Sequence, residues 1–277
     1  MGDLAADTKV TGSVGGYTAR LSRDWEIWGP NGGYIASVAL RAAGEHTQFG
    51  RPVSIVGHYL GVATFDEVTI DVTTLRATKR AESMRVTMRQ ARNPIFEALV
   101  WTCAPLDGLE HELAPLPATF EPESVPPTSE RLADAGMEPF YPFWTNLDER
   151  AATWRTQAEW LDRAPEPPVF ERWYRYVPTA TFDDLWVDAC RSLILVDTLG
   201  WPAVCNLHLD SAFVAPSIDI ACTFHRARIH EPWLYAQATS VSAIAGVIGC
   251  ESKIWSRDGS LLAMGTSQLL CRPAPAP

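Results

Sequence analysis

Gly57-His58-Tyr59-Leu60 and Glu67-Val68-Thr69-Ile70 return 165 positions later as Cys222-Thr223-Phe224-His225 and Pro232-Trp233-Leu234-Tyr235. The same slide carries Arg92-Asn93-Pro94 onto Arg257-Asp258-Gly259, with no gap between the matches. Identity across the overlay is poor, but strand-like runs and turns stay in phase. A period this long marks a duplicated domain rather than a solenoid, whose units run to roughly 20–50 residues. The fold is therefore decided by what one copy is.

Upstream of the quoted stretch, residues 31–46 read as a helix opened by Asn31-Gly32-Gly33, with Ile35, Val38, Ala39 and Ala42 as its apolar face. Four strand-like runs follow: Val53–Leu60, Val68–Leu75, Ser83–Gln90 and Ile95–Ala104. Val86 and Met88 alternate with Arg85, Thr87 and Arg89, the period of a strand with one buried face. Asn93-Pro94 supplies the turn between the last two. The second copy repeats the order. A strand at 170–177 and a helix at 182–197 precede strand runs Ile218–Ala227, Trp233–Ser240, Ile244–Ser256 and Leu261–Cys271, with Asp258-Gly259 as a hairpin turn. One helix and an antiparallel sheet, twice, make an α+β chain in which each helix buries its stripe on a curled sheet.

The middle differs. Residues 105–168 hold 11 of the 21 prolines, and 105–171 hold 14 Asp and Glu against four Arg, as large an excess as the net charge of −10. This segment reads as an inter-repeat crossover with one helix at 147–161, pinned by Phe140-Tyr141-Pro142-Phe143-Trp144. The chain divides into an N-terminal repeat (1–104), the acidic connection (105–168) and a C-terminal repeat (169–277).

An acidic chain argues against non-specific binding to nucleic acid. No apolar run reaches the roughly 18 residues of a membrane helix, so membrane insertion is not expected. The Met1–Asp7 start has neither a basic nor an apolar signal region. Six cysteines without a CxxC pair fit reduced thiols, and a cytoplasmic location is expected.

Several of these stretches resemble the bacterial acyl-CoA thioesterase II family. Pro30-Asn31-Gly32-Gly33-Tyr34 stands where that family has a Phe-Gly-Gly-Gln helix start. Thr74-Leu75-Arg76 is similar to its Thr-Leu-Arg strand end, and Asn93-Pro94-Ile95-Phe96 to its Lys-Pro-Ile-Phe hairpin. Phe224-His225-Arg226, Trp233-Leu234-Tyr235 and Asp258-Gly259 match in type and spacing in the second half. The resemblance implies a double hotdog, two long helices each cradled by an antiparallel sheet, and an acyl-CoA substrate. It also implies an Asp, a Ser or Thr and a Gln that hold the attacking water. Asp197, five residues before Pro202, matches the Asp, and Ser217, by its spacing from Phe224-His225-Arg226, the hydroxyl. Counting from Asp258-Gly259 reaches Ser267, one residue short of Gln268. A bulge at Gly265 would turn Gln268 to the required face, and Gln268 is taken as the third residue.

Thioester hydrolysis needs a water aimed at the carbonyl, an acceptor for its proton and donors for the oxyanion. An ionised Asp can be the base, and Ser and Gln can both accept from and donate to the water. Backbone N–H groups at a helix start favour negative charge, which makes Gly32 and Gly33 the oxyanion candidates. Coenzyme A is polyanionic, and Arg76, Lys79 and Arg80, with Arg226 and Arg228, are the candidates for its phosphates. No HExxH or paired histidine spacing suggests a metal, and no dissociable cofactor is expected. Gly265-Thr266-Ser267-Gln268-Leu269 lacks the last glycine of a nucleophile elbow. The expected function is hydrolysis of a fatty acyl-CoA by direct water attack, in a homo-oligomer. The alternatives are a non-catalytic acyl or acyl-CoA binder on the same scaffold and a hotdog hydratase or dehydratase.

Overall fold

The computed structural model describes residues 1–210 and 212–274. In the first half, Leu4–Asp7 (α1), Thr11–Ser13 (β1) and Gly16–Arg20 (β2) lead to the helix Gly32–His46 (α2). Pro52–Tyr59 (β3), Glu67–Ala77 (β4), Ala81–Gln90 (β5) and Asn93–Cys103 (β6) follow. The connection contributes Thr128–Asp134 (α3), Leu147–Arg150 (β7) and Gln157–Asp162 (α4). The second half runs Val169–Tyr176 (β8), Leu185–Thr198 (α5), Gly200–Leu207 (α6), Phe213–Val214 (β9) and Ser217–Phe224 (β10). Leu234–Ile244 (β11), Val247–Ser256 (β12), Leu261–Leu270 (β13) and Arg272–Pro273 (β14) complete it. No helix among the described residues is long and apolar enough to cross a membrane.

Twelve strands form one antiparallel sheet in the order β1-β2-β4-β5-β6-β3-β10-β13-β12-β11-β8-β7. Read outward from the central β3–β10 pair, the strand sequence β3-β6-β5-β4-β2 is mirrored by β10-β13-β12-β11-β8, so each half is the same curled unit. The central register shows the symmetry directly: His58 pairs with Asp219, Val56 with Ala221 and Ser54 with Thr223. Under the 165-residue offset Val56 and Ala221 are equivalents, so a pseudo-two-fold axis passes between them. The duplication read from the sequence is thus the architecture: a double hotdog.

The two helices lie antiparallel in the cradle and bury all their sides, since residues 33–43 of α2 and 186–198 of α5 are all buried. A single apolar stripe was expected on α2. The observed burial is complete because the helix is covered by the sheet on one side and by α5 on the other. Both helices open on a capping side chain, Asn31 accepting from the Tyr34 N–H and Asp184 from the Trp186 N–H. The helices therefore correspond at an offset of 153, and the difference from the strands is the segment containing α6, inserted before β10.

Two local expectations are corrected. The expected helix at 147–161 is instead β7, which pairs Leu147 with Tyr176 and Arg150 with Trp173 of β8, followed by a short helix from Gln157. Strand pairing overrides the local propensity there, and the Thr156–Glu159 capping box starts the helix later. The β5–β6 turn falls at Ala91-Arg92, with Ala91 at φ 52°, and Asn93-Pro94 already belong to β6. Pro202 does not stop the chain from being helical, because it lies in the first turn of α6, where proline is tolerated.

The acidic connection is anchored on the outer face of the second sheet. Trp173, Trp233, Tyr235, Trp255 and Leu261 form an apolar cluster there, covered by Ala114, Leu116 and Phe120. Indole N–H groups hold the strap: Trp173 to the Phe120 carbonyl at 2.8 Å, Trp255 to the Ala114 carbonyl at 2.7 Å and Trp233 to Glu123 at 2.9 Å. Further along, Phe143 is fully buried, edge-on to Trp25 at 5.9 Å.

Candidate active site

The C-terminal turn of α5 meets the N-terminal turn of α2, and Asp197 sits at that junction, 6% exposed. Its Oδ2 accepts from the Gly33 N–H at 2.8 Å and its Oδ1 from the Tyr59 hydroxyl at 3.1 Å. Ser217, at the start of β10, acts on the same carboxylate. Asn31 ties the two helices together by donating to Thr198 Oγ1 at 3.0 Å. Burial raises the pKa of Asp197 above 3.8, while hydrogen bonding from Ser217, Gly33 and Tyr59 pulls it back down. Tyr59 stays protonated and donating, because burial and the neighbouring Asp197 push its pKa far above 10.

Glycine is required at both positions that open α2. A Cβ on Gly32 would lie 2.7 Å from Asp197 Oδ2 and 3.0 Å from the Tyr59 hydroxyl. On Gly33 it would lie 2.6 Å from the Ile194 Cα, a backbone atom that cannot move aside. The expected oxyanion pair separates on inspection. The Gly33 N–H is committed to Asp197, the Tyr34 N–H to the Asn31 side chain and the Ile35 N–H to the Asn31 carbonyl. Among the described residues, the Gly32 N–H alone in this turn has no acceptor, and it is the one left for a ligand.

Gln268 is corrected. It faces outward on β13 and is exposed, with its backbone N–H donating to Asp219 at 2.9 Å. Gly265 forms no bulge: β12 and β13 stay in register from Lys253↔Met264 to Val247↔Leu270. With no extra residue, the period of two turns Gln268 away and Ser267 inward. Ser267 is 2% exposed and its Oγ has no hydrogen-bond partner. It lies between Gly265, whose Cβ would touch Val196, and Leu269, which approaches Gly200, so it faces the turn that carries Asp197. The irregularity is on the neighbouring strand, between Ser217 and Asp219, where it re-aims Ser217.

The five expected phosphate ligands lie in two groups away from Asp197. Asp197 lies by the Tyr59 end of β3, whereas Arg76, Lys79 and Arg80 lie at the β4–β5 hairpin, where the Arg80 carbonyl accepts from the Ala104 N–H. Arg226 and Arg228 follow the far end of β10 and pair with Glu112 at 3.2 Å and Asp258 at 3.1 Å. Both groups sit at the opposite end of the sheet, a strand length of roughly 20 Å from Asp197. Charge alone marked them in the sequence, and charge carries no information about which end of a strand is occupied.

Tyr59 and Asn31 complete the site and were not singled out by sequence. Tyr59 stands within the repeated motif, opposite Phe224, and its hydroxyl distinguishes the two copies. Above the junction, Trp28 (φ 37°) lies edge-on to Trp201 at 6.4 Å and donates to the Tyr141 hydroxyl at 2.7 Å. A bulky residue at positive φ is strained, and such strain concentrates at functional sites.

Comparison with known proteins agrees with the double-hotdog fold. Residues 21–103 match the acyl-CoA thioesterase N-terminal domain and residues 122–271 the acyl-CoA thioesterase C-terminal domain. A hot-dog-fold protein of unknown function from Alicyclobacillus acidocaldarius is similar in structure, with TM-score 0.82 and 18% identity over 99% of this chain and 98% of that one. An acyl-CoA thioesterase II from Mycobacterium marinum gives TM-score 0.77 and 19% identity over 99% of both chains. The dehydratase domain of RzxB from Pseudomonas fluorescens is more distant, with TM-score 0.56 and 13% identity over 93% of this chain and 94% of that one. No curated protein matches the sequence.

Proposed function

The chain belongs to the acyl-CoA thioesterase family, and from that premise we propose that it hydrolyses fatty acyl-CoA thioesters by direct attack of a water held by Asp197. The observation that carries this is the buried carboxylate at the helix junction, oriented by Gly33 and Tyr59 and facing an N–H that has no partner. Asp197 takes the water's proton as the water attacks the thioester carbon. Ser217 and Ser267 fix the water's position, and Ser267 takes the place expected of an amide. The Gly32 N–H receives the oxyanion. The tetrahedral intermediate collapses with expulsion of the CoA thiolate, and the proton held by Asp197 returns to the sulfur. Trp28 and Trp201 line the approach for the acyl chain.

Thiol release from a panel of acyl-CoAs of increasing length tests the substrate class. Asp197→Asn preserves the shape and removes the negative acceptor. Turnover is expected to fall by roughly 10²–10⁴-fold with little change in acyl-CoA affinity. Wild-type protein that binds acyl-CoA without releasing thiol above background would replace this reading with that of a binding protein. An acyl group trapped on Ser217 or Ser267 would replace water attack with a serine nucleophile.

A further inference from the structure

The pseudo-two-fold axis generates a second position like that of Asp197 at the other end of the helix pair, and its residues have diverged. By the helix offset Gly44 stands where Asp197 does, and Trp186 stands where Gly33 does. The pair packs in the same way, since a Cβ on Gly44 would lie 2.7 Å from the Trp186 ring. By the strand offset Phe224 replaces Tyr59 and Pro52 replaces Ser217. This end lacks counterparts of the Asp197 carboxylate and of the Tyr59 and Ser217 hydroxyls.

It retains a pocket. Arg51, Arg226 and His225 line it, over a floor that includes Pro52, Ala189 and Leu262. Its charges do not cancel. Arg191, nearly fully buried, is paired with Asp188, and Arg226 with Glu112 at 3.2 Å. Arg51 has no carboxylate partner among the described residues, and its buried Nε has no acceptor. Burial lowers the pKa of His225, opposed by Glu112 and reinforced by Arg51, so the imidazole is neutral at pH 7 and does not add a charge. One uncompensated guanidinium above an apolar floor suits a monoanion with an apolar end. A guanidinium offers paired N–H donors that match a carboxylate.

We propose that this pocket binds a short aliphatic carboxylate, its head group on Arg51 and its alkyl end against Pro52, Ala189 and Leu262. The proposal stands on the pocket's own residues and does not depend on the hydrolytic reading of the Asp197 end.

Calorimetric titration of the full chain with hexanoate, acetate and inorganic phosphate tests it. Hexanoate is expected to bind more tightly than acetate, because the floor contributes, and more tightly than phosphate. Arg51→Ala should weaken hexanoate about tenfold or more, Arg51→Lys should restore part of the loss, and Asp197→Asn should leave it unchanged. Circular dichroism establishes that each variant is folded. If Arg51→Ala is not, Arg51→Gln, which keeps bulk and removes the charge, carries the comparison. Equal affinity in wild type and the folded Arg51 variant overturns the proposal. So does loss of binding in Asp197→Asn alone, which would place the carboxylate at the other end, or a preference for phosphate over hexanoate.

Discussion

At the scale of single residues, the proposed chemistry rests on one carboxylate held under opposing influences. Burial raises the pKa of Asp197, and the hydrogen bonds from Ser217, Gly33 and Tyr59 lower it. A base must be ionised to act, so activity should be lost as pH falls through the folded pKa, at a limb above the ordinary carboxylate value of about 3.9. Removing a donor removes a lowering influence. Ser217→Ala and Tyr59→Phe should each move the acid limb of kcat/KM to higher pH, which pH–rate profiles measure directly. A limb that stays put in both would separate these residues from Asp197. The third position gives a second prediction at this scale. Ser267→Ala should lower kcat, because it deletes a buried hydroxyl facing the site, whereas Gln268→Ala, on the exposed face, should leave steady-state rates near wild type. The reverse result would restore the register expected from the sequence. That expectation failed for a definite reason. Strand facing alternates residue by residue, and a count from a hairpin turn is only as good as the turn. The position of Asp197 at the helix junction was easier to reach, because its count of five residues from Pro202 stays within one helical segment and crosses no hairpin turn.

At the scale of elements, the contact between α2 and α5 determines whether the site exists. Gly33 lets the helices approach until its N–H reaches Asp197, and the approach leaves no room for a methyl group beside the Ile194 backbone. Gly33→Ala should therefore force the helices apart and cost about 1–3 kcal/mol, the usual range for overpacking. The melting temperature should fall by several degrees, with activity lost at temperatures where the variant is still folded. A variant with unchanged melting temperature and activity would show that the helix contact is looser than its geometry implies. The helices and most of the strands were readable in the sequence from periodicity and turn residues. The close approach of the helices was not, since a Gly-Gly pair before a helix looks the same whether it forms a turn or admits a neighbour. The strap over the second sheet was hidden for a related reason. Proline-rich, acidic sequence signals the absence of regular structure, while its attachment depends on indole N–H groups on or beside strands beyond residue 168.

At the scale of the whole molecule, duplication supplies two equivalent ends and divergence gives them different side chains. The duplication was legible because strands and turns recur in phase. The asymmetry was not, since it appears only when each residue is carried through the axis: Asp197 to Gly44, Tyr59 to Phe224, Ser217 to Pro52, Gly33 to Trp186. Each of these replacements removes a polar group or fills a space, and the four together cannot orient a water. The sheet that joins the halves keeps both ends in one rigid frame, so loss of the second site does not require loss of the second fold. Each chain should accordingly carry one hydrolytic centre. A non-hydrolysable acyl-CoA thioether should titrate to one site per chain in calorimetry, and Asp197→Asn should leave no second phase of thiol release. Gly44→Asp, placed against the Trp186 ring, should create no activity, because a carboxylate there meets an aromatic face in place of the Gly33 N–H. Two equivalents of bound thioether, or residual turnover in Asp197→Asn that disappears on substituting residues at the Gly44 end, would show that both copies still react.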